Sequence, residues 1–124
     1  MALLFAPMSD VERRHLARAG RRLATLDFYP APVKLGRVRA LHAPWLFRIP
    51  GCRRFVGYEA GPLIFTRDPL DEVSNDLITH ELCHVWQDQH RRMFMWLSYL
   101  WQGYRNNRHE IEARAAARRT RAVP

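Results

Sequence analysis

Five residues, His80-Glu81-Leu82-Cys83-His84, constrain this chain more than any other feature. They set two imidazoles four residues apart within a run whose apolar positions, Leu77, Ile78, Leu82, Val85 and Trp86, follow the helical period. Ser74 can cap that run, and the spacing predicts a helix reaching about residue 90. On a helix, residues four apart lie about 40° and about 6 Å from each other, so both imidazoles can face one ion. The fold must therefore bury one side of this helix and leave the two histidines at its margin.

Chance explains the pattern poorly. With 6 His and 6 Glu among 124 residues, a shuffled chain produces two His flanking a Glu at this spacing about one time in a hundred. Two histidines at this spacing suit Zn²⁺ at about 2.0–2.1 Å. Glu81 is rotated about 100° from His80, which places it beside the ion instead of on it. Zinc lowers the pKa of a water toward about 7, and a carboxylate in that position takes the water's proton while the hydroxide attacks a polarised carbonyl.

A zinc site open to water needs a third protein ligand. Glu110, in Asn107-x-x-Glu110, is the leading candidate because it opens a second helix that can pack on the first. The same residues also make a capping box, and Glu110 with Arg114 makes an i,i+4 ion pair. His90 and His109 are the remaining candidates.

The rest of the chain reads as one α+β domain over residues 1–124. Ser9-x-x-Glu12 is a capping-box signature ahead of Leu16, Ala19, Leu23 and Leu26, predicting a helix near 10–27 with Arg14, Arg18 and Arg21 on its other side. Four short runs, Val33 to Leu41, Trp45 to Ile49, Phe55 to Tyr58 and Leu63 to Thr66, predict a small, mostly antiparallel sheet of about three strands. A last helix is expected near 107–121. Met93 to Trp101, strongly apolar and aromatic, suits core, a lid, a protein-binding surface or a membrane-interface helix, and is too short to span a bilayer.

Composition narrows the classes further. No run of about 20 apolar residues is present, so a membrane span is not expected. The opening Met1 to Pro7 is apolar but too short for a signal peptide and lacks its basic flank, so a cytoplasmic location is expected, and Cys52 and Cys83, without CxxC spacing or disulfide-scaffold density, read as reduced thiols. Cys83 reads as a small buried residue. The formal charge is +8, with 19 Arg, yet residues 68–90 hold six acids and no Lys or Arg. That basic excess makes an anionic partner reachable through the Arg-rich helices.

Leu77-Ile78-Thr79-His80-Glu81-Leu82-Cys83-His84-Val85-Trp86-Gln87, followed by Tyr104 and Glu110-Ile111-Glu112-Ala113, resembles the gluzincin metallopeptidases, and in particular the single-domain minigluzincins. The resemblance covers roughly residues 55 to 117. It implies a zincin-like fold, a peptide or protein substrate, zinc ligands His80, His84 and Glu110, and Glu81 as general base. It also implies that Leu63-Ile64-Phe65-Thr66-Arg67 is the edge strand along the cleft, to which an extended peptide adds. Tyr104 is favoured over Tyr99 and His109 as the donor to an oxyanion, because it lies just before Glu110. Many gluzincins carry Asp or Asn four residues after the ligand Glu, to support a zinc-binding His, whereas this chain has Arg114. Asp76 and Asp88, each one turn from a ligand His, are the candidates to replace that support. The alternative from another class is a non-catalytic zinc-binding or basic interaction module for nucleic acid or a protein partner.

Overall fold

The computed structural model describes residues 6–49, 57–102 and 107–124. Helix α1 spans Asp10–Ala24, and Ser9 caps it by accepting the Glu12 amide at 3.1 Å. Glu12 does not complete the capping box. Its carboxylate instead accepts from Arg39 Nε at 2.7 Å and from the Ala40 amide at 2.8 Å, tying α1 to the first strand. The helix stops at Thr25, whose amide and hydroxyl both turn back to Arg22 O.

Strand β1 is Arg39–His42, β2 is Gly57–Ala60 and β3 is Leu63–Thr66. Gly61-Pro62 joins β2 to β3. Gly61 takes φ 59°, while the ring of Pro62 holds φ near −65°. Of the two mirror-image hairpin turns, only type II′ accepts that pair. The order is β1-β3-β2, with β1 parallel and β2 antiparallel to β3. This mixed sheet corrects two expectations. It is not mostly antiparallel, and Leu63–Thr66 is its central strand instead of its edge, since both sides of β3 are already paired. Trp45 to Ile49 is not a strand either, because Pro44 starts a 3₁₀ turn over Pro44–Arg48.

Ala40, Ile64 and Thr66 share the buried face of the sheet. Against it pack Leu16, Ala19 and Leu23 of α1 and Ile78, Leu82 and Val85 of the next helix. That helix, α2, runs over Asn75–Gln102, well past the expected end near 90. Residues 88–102 contain no Gly or Pro, and His90-Arg91-Arg92 are adequate helix formers, so nothing local ends it. The side chains of Met93 to Trp101 fall outside the described ones. No described helix is long and apolar enough to cross a membrane.

Helix α3 spans Arg108–Arg119, and Asn107 caps it by accepting the His109 amide at 2.7 Å. Ala113 and Ala116 of α3 are fully buried in one cluster with Leu82, Cys83 and Trp86 of α2. Small side chains at this contact bring the two axes close. Arg22, 1 % exposed, joins all three helices: Nε donates to Thr120 Oγ1 at 3.1 Å, and Nη2 donates to Asp76 at 2.9 Å and to Ala117 O at 2.7 Å.

Candidate metal centre

The apolar side of α2 faces the core and turns His80 and His84 toward the start of α3. Their Nε2 atoms lie 3.2 Å apart. From α3, Glu110 directs both oxygens at them, Oε1 to His84 Nε2 at 2.7 Å and Oε2 to His80 Nε2 at 3.3 Å. Ligand atoms on one tetrahedral zinc are about 3.3–3.4 Å apart, so two of these three distances already suit a shared ion. The third, 2.7 Å, has the length of a charge-assisted hydrogen bond between His84 and Glu110. His80, Glu81 and His84 place one donor atom each within 4.8 Å of one another, a group that could hold a metal ion. Glu81 is 6 % exposed, and its Oε2 is buried without a hydrogen-bond partner among the described residues. Buried carboxylate oxygens are costly to leave unpartnered, and an ion with its water would satisfy this one.

Burial disfavours the charged His84 imidazole, yet the hydrogen bond to Glu110 and the charges of Glu81 and Glu110 prevail, pushing its pKa up to about 9. Burial also opposes charge on Glu110, but His80 and His84 hold it well below the usual carboxylate range. For Glu81 burial dominates, raising its pKa against the pull of the two histidines, with Glu110 adding to the rise. An ion must therefore displace a proton from His84. Apparent zinc affinity should climb with pH until about 9, by close to tenfold per unit for one proton. Zinc titrations against a competing chelator at neutral and alkaline pH check this, and a flat profile would show that His84 does not bind the metal.

Support for His84 comes from a residue to which the sequence reading assigned no role. His84 Nδ1 lies 2.8 Å from Gln87 Oε1, while Gln87 Nε2 donates to His109 O at 2.9 Å and to Glu112 Oε1 at 3.0 Å. Two acceptors fix which end of the amide is nitrogen, so Nδ1 carries a hydrogen and Nε2 is the atom left with a lone pair for an ion once its own proton has gone. Tyr29 donates its hydroxyl to the same Glu112 oxygen at 2.8 Å. A polar residue one helical turn after a ligand His was the available signal. Asp76 is engaged elsewhere, by Arg22 and Arg121, both at 2.9 Å. Gln87→Met should lower zinc affinity about 10–100-fold, as loss of such partners does. Unchanged affinity would mean that packing alone orients His84.

No family model, curated protein or solved structure matches this chain. Its site must be read from its own residues.

The structure brings His80, Glu81, His84 and Glu110 together and turns the other candidates away. His90 stacks on Tyr29, with centroids 5.0 Å apart, and His109 Nδ1 sits 3.2 Å from Asn107 Oδ1. Arg114 Nη2 is 4.0 Å from Glu110 Oε2, at the outer limit of an ion pair. Cys83 is a buried free thiol whose pKa is driven far up by burial and by the charges of Glu112 and Glu110, which makes it unreactive. Tyr104, Cys52 and the side chain of Tyr99 lie outside the described residues.

Proposed function

We propose that this chain is a zinc-dependent peptide-bond hydrolase of the gluzincin type, with His80, His84 and Glu110 as ligands and Glu81 as general base. The observation that carries the reading is the approach of Glu110 from α3 to both imidazoles of α2, which yields two His and one Glu as donors in one place. Zinc held by such a set would lower the pKa of a water and polarise a carbonyl. Glu81 suits the part of proton acceptor, since its Oε2 has no competing partner among the described residues and burial raises its basicity.

Strand β2 supports a peptide as substrate. Among the described residues it pairs only with β3, which leaves it an edge beside the site. A Cβ at Gly57 would stand 3.0 Å from Leu77 Cδ1 and 3.2 Å from Glu81 Cγ, so the missing side chain lets the strand pass directly over the base. An extended peptide adding to β2 would lie next to Glu81. The edge-strand role that the gluzincin resemblance assigned to Leu63–Arg67 therefore belongs to β2. Tyr104 remains our choice for the oxyanion donor, and a cytoplasmic location is part of the same proposal.

Elemental analysis together with cleavage of a mixed peptide library tests the reading. About one zinc per chain is expected, with hydrolysis that stops on chelation and returns when zinc is restored. A chain that takes up no zinc would overturn the reading and favour the non-catalytic interaction module.

A further inference from the structure

We infer that a cleft between α1 and the start of α2 is a binding site for a phosphate-bearing ligand, independent of the metal centre. The cleft encloses about 600 Å³ and is lined by Arg13, Arg14, Arg18 and Arg21, with Asp71 its one acidic residue and Asn75 on the opposite wall. The four arginines differ in what they touch. Arg13 pairs with Asp10 at 3.0 Å, and Arg21 Nε donates to Pro124 O at 3.4 Å. Arg14 and Arg18 have no acidic partner among the described residues, although acids pair with Arg22, Arg39, Arg67, Arg114 and Arg121.

Arg18 gives the strongest signal. Its Nε is buried and lacks an acceptor among the described residues. A buried N–H of a charged group is costly to leave in that state, and a turn of the side chain toward the cleft it lines would let an oxyanion satisfy it. A guanidinium offers Nε and Nη as a planar fork that matches two phosphate oxygens. Arg14 stands four residues earlier on the same helix face, about 6 Å along the axis. The pair is thus spaced to hold one phosphate between them or two successive phosphates of a strand. Asn75 is the first residue of the 28-residue α2, whose dipole adds positive potential at that end of the cleft. His15 contributes no free nitrogen, since its ring meets Asn75 Oδ1 at 3.0 Å and Leu70 O at 2.7 Å. Recognition therefore rests on the arginines. The formal charge of +8 draws such a ligand to the surface from a distance.

The test titrates the intact zinc-loaded chain with a labelled single-stranded oligonucleotide and, separately, with pyrophosphate. Both arms compare wild type with Arg18→Met, Arg18→Lys and Arg37→Met. Arg37 is exposed and lies outside the cleft, so it removes one charge without touching the site. Both Arg18 variants should bind about 10- to 100-fold more weakly than wild type, and Arg37→Met should stay within roughly twofold. Arg18→Lys keeps the charge and loses the fork, so it decides the matter should Arg18→Met fail to fold. A nucleic-acid backbone resting on Arg14 and Arg18 gives a log affinity against log salt slope of about −1.4. Binding of pyrophosphate without the oligonucleotide assigns the site to a small phosphorylated compound. The inference fails if neither probe binds, if Arg18→Lys binds like wild type, or if Arg37→Met loses as much as Arg18→Met.

Discussion

Glu81→Gln should keep zinc and fold while lowering peptide hydrolysis by about two to four orders of magnitude, the usual contribution of a general base. Glutamine has nearly the same shape as glutamate and fills the same buried space beside Gly57 and Leu77. It cannot take a proton from water. Because Glu81 is 6 % exposed and its Oε2 has no partner among the described residues, neutralising it breaks no hydrogen bond of the fold at that oxygen. The loss should therefore appear in turnover, with zinc content kept and no fall in melting temperature, since burial disfavours the Glu81 charge that glutamine removes. Cleavage of a mixed peptide library at matched zinc occupancy provides the comparison. Equal rates in the two proteins would exclude Glu81 as the base.

Glu110→Ala should weaken zinc binding by more than the roughly 100-fold upper range for loss of a supporting partner, because it removes a donor itself. Glu112→Ala should have a smaller effect, acting only through Gln87. The capping role considered for Glu110 does not compete, since Asn107 accepts the His109 amide and both Glu110 oxygens face the histidines. A second readout comes from the metal-free chain. There Glu110 helps to raise the His84 pKa from 6.5 to about 9, a shift equivalent to about 3 kcal/mol. A raised pKa contributes stability in full below the unfolded value of 6.5 and loses it as pH rises through about 9. The metal-free variant should thus be less stable than wild type at pH 6 and approach it above pH 9. Denaturant melts at the two pH values measure this. An equal difference at both would show that the pair does not act through charge.

Arg22 and Glu12 show why some charged residues were legible and others were not. Counting acids and bases identifies the basic excess, and helical spacing puts Arg14, Arg18 and Arg21 on an outer face. Spacing does not reveal that Arg22, one residue after Arg21, is fully buried among Thr120, Asp76 and Ala117, three partners more than 50 residues away. Likewise Ser9-x-x-Glu12 marks the start of α1 correctly, but Glu12 meets a strand that only the folded chain brings to it.

The division at the metal centre is the same. Two imidazoles four residues apart on an apolar helix are a local matter, because the helical repeat fixes their relation wherever the helix goes. Their Nε2 separation of 3.2 Å follows from that repeat together with the orientation that Gln87 gives to His84. Whether Glu110 reaches them depends on how closely α3 packs, which the buried Ala113, Ala116 and Cys83 permit. Strand order is further from local control. The Gly61-Pro62 turn pairs β2 with β3, but β1 joins β3 across 20 intervening residues, which makes β3 central and leaves β2 as the edge beside Glu81. The sequence by itself determined the helix caps, the helical spacing and the chemistry available at His80, Glu81 and His84, because each depends on neighbours within a turn or two. The tertiary structure alone decided which strand flanks Glu81, that Glu110 reaches the two histidines and which arginines have no acidic partner among the described residues, because those contacts join segments whose separation along the chain carries no periodic signal.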